Sequence, residues 1–243
     1  VGVAIPYLAW RTKQRFDLLV IPSRRSSEAA EDGRGIPFGS TTGAPSEGDP
    51  SPSSRLRDDR FNRAQFFFQT AIFQLVIYGF ALVAASTNGI RLRLLPIVWW
   101  KAWPALALLL LSLSLLKLRW PSRDEANKRR LYAILPHDRR ELLPYLVLCV
   151  VAAIAEEVIY RGVAYRLLLR LGATMWVAAA VLSIAFALAH SVQGWRSAAF
   201  IGLIAAGFHF IVIYSGGLLP AIVAHFAYDA VAGIVIPRWM GES

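Results

Sequence analysis

From Ala64 to Thr87 the chain runs without a charged side chain. An α-helix needs about 20 apolar residues to cross a bilayer, and further apolar runs follow near 95–116, 142–169, 173–192, 197–214 and 218–236. In hydrocarbon every backbone N–H and C=O must find a partner inside the protein, which leaves helices or closed barrels as spanning structures. Runs of this length predict an all-α, polytopic integral membrane bundle of about six transmembrane helices. Lys101 and Pro104 sit near the start of the second run, where a lysine can snorkel and ALALLLLSLSLL continues as helix. Composition points the same way. Apolar residues make up 56% of the 243, and charged residues 17%, against about 45–50% and about 25% in soluble domains. Mean hydropathy is +0.47. A soluble fold of this size has no core large enough for that excess.

Charge sets orientation rather than partners. The chain carries 26 Lys and Arg against 16 Asp and Glu, a net +10, which in a soluble protein would suggest nucleic acid. Here the cations gather between apolar runs, above all Lys117, Arg119, Arg123, Lys128, Arg129, Arg130, Arg139 and Arg140. Short loops rich in Lys and Arg stay cytoplasmic and attract anionic headgroups. The expected partners are therefore membrane lipid and a membrane-associated protein or peptide, with no nucleic acid. Six spans return both terminal regions to the cytoplasmic side of a cell membrane, expected to be bacterial; Arg91 and Arg93 outside run mildly against the bias. The single cysteine, Cys149, lies in an apolar run, so the chain has no intrachain disulfide and no cysteine metal cluster.

Four regions follow. Residues 1–21 open with VGVAIPYLAW, too short to span, and a start at Val1 rather than Met reads as a truncated helix or an interfacial anchor. Residues 22–60, rich in Ser, Gly and Pro, bury too little apolar surface to offset their ordering entropy and are expected to be a disordered linker. Residues 61–139 hold two spans and the basic loop, and residues 140–243 hold four spans.

Ionisable groups inside a membrane are expensive, so each needs a reason. The last four spans concentrate them: Glu156, Glu157, Arg161, His190, His209, His225 and Asp229. Residues four apart share a helix face, which pairs Glu157 with Arg161 and leaves Glu156 without a partner on its own helix. One reading makes all three a structural ionic network. The other keeps Glu157 and Arg161 as the structural pair and leaves Glu156, stripped of hydration, as a proton acceptor. Phe186 and His190 share a face, as do His225 and Asp229, where the carboxylate can accept from the imidazole and fix its tautomer. Taking Gly172 as the turn, Glu156 and His190 lie about 24 and about 27 Å from it at 1.5 Å per residue. An antiparallel hairpin would bring them level, able to hold and deprotonate a water. His209 and His225 flank Gly216–Gly217 in the same way; His209 reads as a supporting residue.

Glutamate and histidine inside a membrane suggest hydrolysis, with or without zinc. Zinc would need three ligands, which Glu156, His190 and His225 could supply. No HExxH, no GxSxG within a span, no second intramembrane aspartate and no nucleotide-binding glycine pattern occurs. EEVIYR, FALAH and HFAYD, in that order on successive spans, resemble the EExxxR, FxxxH and HxxxN/D signatures of the CPBP family of type II CAAX-processing proteases and bacteriocin-immunity (Abi) proteins. The similarity covers about residues 140–236. It implies an intramembrane glutamic endopeptidase, a family formerly described as metalloproteases and now generally regarded as metal-independent, so that no cofactor is expected and zinc is the alternative. By this resemblance Glu156 is the base, His190 helps it activate water, and His225 with the residue at Asp229 stabilises the oxyanion. Glu157, Arg161, Phe186 and Tyr160 support the site. Tyr160 stands where the family often has Phe, and Asp229 where many members have Asn; an ionised Asp repels an oxyanion, so its expected role is to orient His225. The competing readings are a zinc protease with the same residues, a non-catalytic immunity or scaffold protein, and a proton-coupled transporter, the last opposed by the lack of inverted repeats.

Overall fold

A computed structural model describes residues 62–119, 128 and 134–241. The N-terminal segment 1–21, the linker expected at 22–60 and most of the basic loop lie outside the described residues. Among those described there is no strand. Six apolar helices follow one another: α1 Arg63–Thr87, α2 Trp103–Arg119, α3 Arg139–Arg170, α4 Met175–Ala189, α5 Trp195–Ser215 and α6 Leu219–Gly241. A 3₁₀ turn, Trp99–Ala102, leads into α2.

Local chemistry sets the helix starts. Asn62 caps α1 by accepting from the Gln65 N–H at 3.0 Å. Asp138 caps α3 by accepting from Arg140 and Glu141 N–H groups, while Glu141 reaches back to the His137 N–H at 2.8 Å, a reciprocal arrangement close to a capping box. Thr174 caps α4, directly after the turn at Gly172, whose φ of 90° suits glycine.

Five of the helices are long and apolar enough to cross a membrane, with α3 the longest at 32 residues. α4 is the exception and corrects the expected fourth span at 173–192. It has 15 residues, or about 22 Å at 1.5 Å per residue, short of the hydrocarbon thickness. The chain leaves the helix at His190, turns through Ser191–Gln193 and reverses at Gly194, φ 92°. His190 therefore stands at the end of α4 rather than on its flank.

α1 and α3 run parallel and are pinned at both ends. Arg63 lies 3.6 Å from Glu141 at one end; at the other, Arg170 donates to the carbonyls of Asn88 and Gly89. Helix interfaces are built on small buried residues, Ala153, Ala178, Ala198, Ala205, Ala221 and Ala224 among them, which let backbones approach closely. Large apolar side chains such as Phe68, Ile72, Phe80 and Leu203 point outward and stay exposed, as a hydrocarbon surrounding requires.

The connection from α1 to α2 is extended and docks against the α5–α6 turn. Ile97 N–H donates to the Ser215 carbonyl at 2.8 Å, and Leu218 and Leu219 N–H donate to the carbonyls of Arg93 and Leu94 at 3.1 and 2.8 Å. Two N–H groups at the start of α6, which no helical carbonyl serves, are thereby satisfied. The approach is so close that a Cβ on Gly217 would collide with the Leu95 carbonyl. Gly217→Ala is expected to cost about 1–3 kcal/mol by forcing that backbone apart, read as a lower Tm in detergent. Gly79→Ala, which faces open space, should leave Tm unchanged or raise it; equal Tm losses for the two would contradict this packing.

Candidate active site

The polar residues of α3 lie where its backbone changes pitch. Residues Glu157–Ala164 form a π-helical segment, the wider i→i+5 turn that often marks functional positions inside longer helices. Glu156 closes the preceding α-helical part, and both glutamates face the interior: Glu157 is 0% exposed and Glu156 9%.

A fully enclosed carboxylate demands partners from its surroundings. Glu157 Oε1 accepts from Arg161 Nη1 at 3.1 Å and from His225 Nδ1 on α6 at 2.9 Å. Arg161 in turn donates from Nη2 to the Ala205 carbonyl of α5 at 3.1 Å. Its guanidinium lies against Phe186 and Phe208, 4.8 and 5.6 Å from the ring centroids, so aromatic faces replace water around the cation. One ion pair thus ties α3, α4, α5 and α6 together.

His225 is held between carboxylates. While Nδ1 meets Glu157, Nε2 lies 3.4 Å from Asp229 Oδ2 and 3.8 Å from Glu156 Oε2. A proton on either nitrogen therefore finds an acceptor. Phe208 stacks on the ring at 5.5 Å, with 21° between the planes. Asp229 is the more open member, its side chain 33% exposed. Its backbone carbonyl accepts from the Tyr145 hydroxyl at 2.9 Å, which fixes α6 on α3 at this level.

Glu156 is placed differently from its neighbour. Its Oε1 accepts from Gln74 Nε2, on α1, at 2.7 Å, and its Oε2 faces the Asp229 side of His225. Arginine reaches Glu157 and not Glu156. The i,i+4 pairing expected of Glu157 with Arg161 is present, as is that of His225 with Asp229, and Glu156 meets an imidazole from a later helix.

The expected partnership of Glu156 with His190 is not seen as a direct contact. His190 Nδ1 instead pairs with the Phe186 carbonyl at 2.8 Å, because the helix ends there and its last carbonyls need donors. Nδ1 must carry the proton to donate, which leaves Nε2 of the neutral ring as an acceptor. Phe186 links the parts: its ring centroid lies 4.5 Å from that of His190, 5.0 Å from Tyr160 and 6.3 Å from His225. His209, 2% exposed, packs on Tyr165 at 5.6 Å, and its Nε2 has no hydrogen-bond partner among the described residues.

Sequence reasoning missed Gln74 and Phe208. A glutamine near the middle of an otherwise uncharged span was the available signal for Gln74. Phe208 was one apolar residue among many, and its stacking on His225 depends on how α5 and α6 cross. Among the described residues, no group of three His, Cys, Asp or Glu side chains is arranged to hold a metal ion together.

With this geometry in view, residues 138–231 match the family model described as type II CAAX prenyl endopeptidase Rce1-like. The match spans Glu156, His190, His225 and Asp229 and leaves out α1 and α2. No curated protein and no solved structure matches the chain.

The enclosed ion pair makes a stability prediction. Arg161→Met strands the Glu157 carboxylate and is expected to destabilise the protein by about 3–5 kcal/mol, read by unfolding in detergent. Adding Glu157→Gln removes the stranded charge and should recover most of that loss. A single variant as stable as wild type would contradict the pairing.

Proposed function

Starting from residues 138–231 as a segment of the Rce1-like type II CAAX prenyl endopeptidase family, we propose that this chain is an intramembrane glutamic endopeptidase in which Glu156 activates water. The observation that carries the reading is the unequal treatment of two adjacent carboxylates. Glu157 is engaged by Arg161 and His225, whereas Glu156 keeps Oε2 free of any arginine and 3.8 Å from His225 Nε2. A base must be within reach of its proton and not committed elsewhere; Glu156 meets that condition and Glu157 does not.

In this mechanism Glu156 takes a proton from water, and the oxygen adds to the carbonyl carbon of the scissile peptide bond. The carbonyl electrons move onto oxygen, giving a tetrahedral oxyanion that an N–H of His225 stabilises. Collapse restores the carbonyl and breaks the C–N bond. Glu156 then returns its proton to the leaving amine. His190, whose Nδ1 donates to the Phe186 carbonyl, assists in orienting the water, and Asp229 holds His225 in register. No step calls for a metal.

The substrate is the C-terminal tail of a prenylated or otherwise membrane-bound protein, whose lipid and peptide both reach a site within the bilayer. The basic residues at the ends of α2 and α3, Lys117, Arg139 and Arg140, favour the cytoplasmic side for those helix ends.

The test is cleavage of prenylated and plain peptides by purified protein, followed by mass spectrometry. Glu156→Gln is expected to lower kcat by about 10³-fold, and wild-type activity should survive exhaustive chelation. Cleavage by Glu156→Gln at the wild-type rate would contradict the role of the base, and loss on chelation would contradict the metal-free route. Asp229→Asn keeps an acceptor for His225 and should retain substantial activity, while Asp229→Ala should lose most of it. Equal losses from the two would refute an orienting role.

A further inference from the structure

α1 lies outside the segment that matches the family, yet it delivers a polar group to the carboxylate at the centre of the site. Gln74 is near the midpoint of a 25-residue helix whose buried residues are Phe67, Ala71 and Ala85. Gln74 is half-buried there, and the orientation of its side-chain amide follows the protein partner to which it donates. That partner is Glu156 Oε1, at 2.7 Å, a short bond of the charge-assisted kind. α1 has little freedom to withdraw the donor, because Arg63–Glu141 at one end and Arg170 on Asn88 and Gly89 at the other hold it in register with α3.

The contact makes the two oxygens of Glu156 inequivalent. Oε1 is occupied by the amide, and the plane of the carboxylate is fixed by it. Oε2 is thereby aimed toward His225 Nε2, 3.8 Å away, too long for a direct hydrogen bond. A base whose carboxylate can rotate presents its lone pair to water only part of the time; one clamped at Oε1 presents Oε2 continuously.

We propose that Gln74 is a positioning residue for catalysis: its amide clamps Glu156 so that Oε2 is the oxygen that takes the proton from water. This rests on the peptidase reading. It also makes the working unit five helices, α1 with α3–α6, rather than the four in the last part of the chain.

The experiment uses the full chain in detergent or lipid, with the prenylated peptide that wild type cleaves best. Gln74→Met keeps length and volume and removes the donor; Gln74→Asn keeps the amide but draws it back by one methylene. Both are expected to lower kcat about tenfold or more, the scale of a lost hydrogen bond to a charged group, with KM and the unfolding midpoint unchanged. Gln69→Met makes the same chemical change at an exposed position of α1 and should match wild type. Wild-type kcat in a folded Gln74 variant overturns the assignment, as does a loss shared by Gln69→Met or one that tracks a falling unfolding midpoint. Failure of both Gln74 variants to fold overturns it in favour of a purely structural amide. A wild-type chain that cuts none of the peptides overturns the peptidase reading itself.

Discussion

A carboxylate with no exposed surface, in the middle of a membrane helix, governs the arrangement of this protein. Moving such a charge out of water costs several kcal/mol even after relaxation, so Glu157 is tolerable only where Arg161 and His225 reach it together. Those partners come from different places: Arg161 from the same π segment and His225 from α6, with a carbonyl of α5 accepting from Arg161, while Glu157 Oε2 and Arg161 Nε stay buried without a hydrogen bond among the described residues. The requirement to satisfy one acid therefore fixes the mutual positions of three helices. Once His225 is held at Nδ1, its Nε2 has only one direction left, toward Asp229 and Glu156.

The placement of Glu156 beside His225 follows from that scaffold. Adjacent residues on a helix ordinarily diverge by about 100°, and here both are buried because α3 is surrounded on several sides. α1 covers the Glu156 side and α6 the Glu157 side, with His225 bridging the two. The different partners of the two neighbouring acids are thus a matter of which helix each one meets. The aromatic residues Tyr160 and Phe186 pack together, and Phe186 and Phe208 pack against the guanidinium and the His225 imidazole.

Much of this was legible in the sequence, for identifiable reasons. Helical identity came from uninterrupted apolar runs, and the Glu157–Arg161 and His225–Asp229 pairs from i,i+4 spacing, all local properties of one helix. Gly172 and Gly216 were readable as turns because positive φ favours glycine. What could not be read depends on contacts between distant segments. The early end of α4 reflects the reversal at Gly194, and with it His190 turns to the Phe186 carbonyl instead of Glu156. The π segment has no residue pattern that announces it. Gln74 and Glu156 meet 82 residues apart, through an alignment set by pins at both ends of α1. The extended stretch that caps the start of α6 likewise draws its hydrogen bonds from a partner more than a hundred residues away in sequence.

The enclosed carboxylate's hold on α6 is open to a direct measurement: a double-mutant cycle on unfolding in detergent, combining Glu157→Gln with His225→Asn. Because these side chains share a buried hydrogen bond, the account predicts a coupling energy of about 1–3 kcal/mol between the two substitutions. Effects that add to within about 0.5 kcal/mol would contradict it, since Glu157 and His225 would then be independent and nothing in this network would hold His225 beside Glu156.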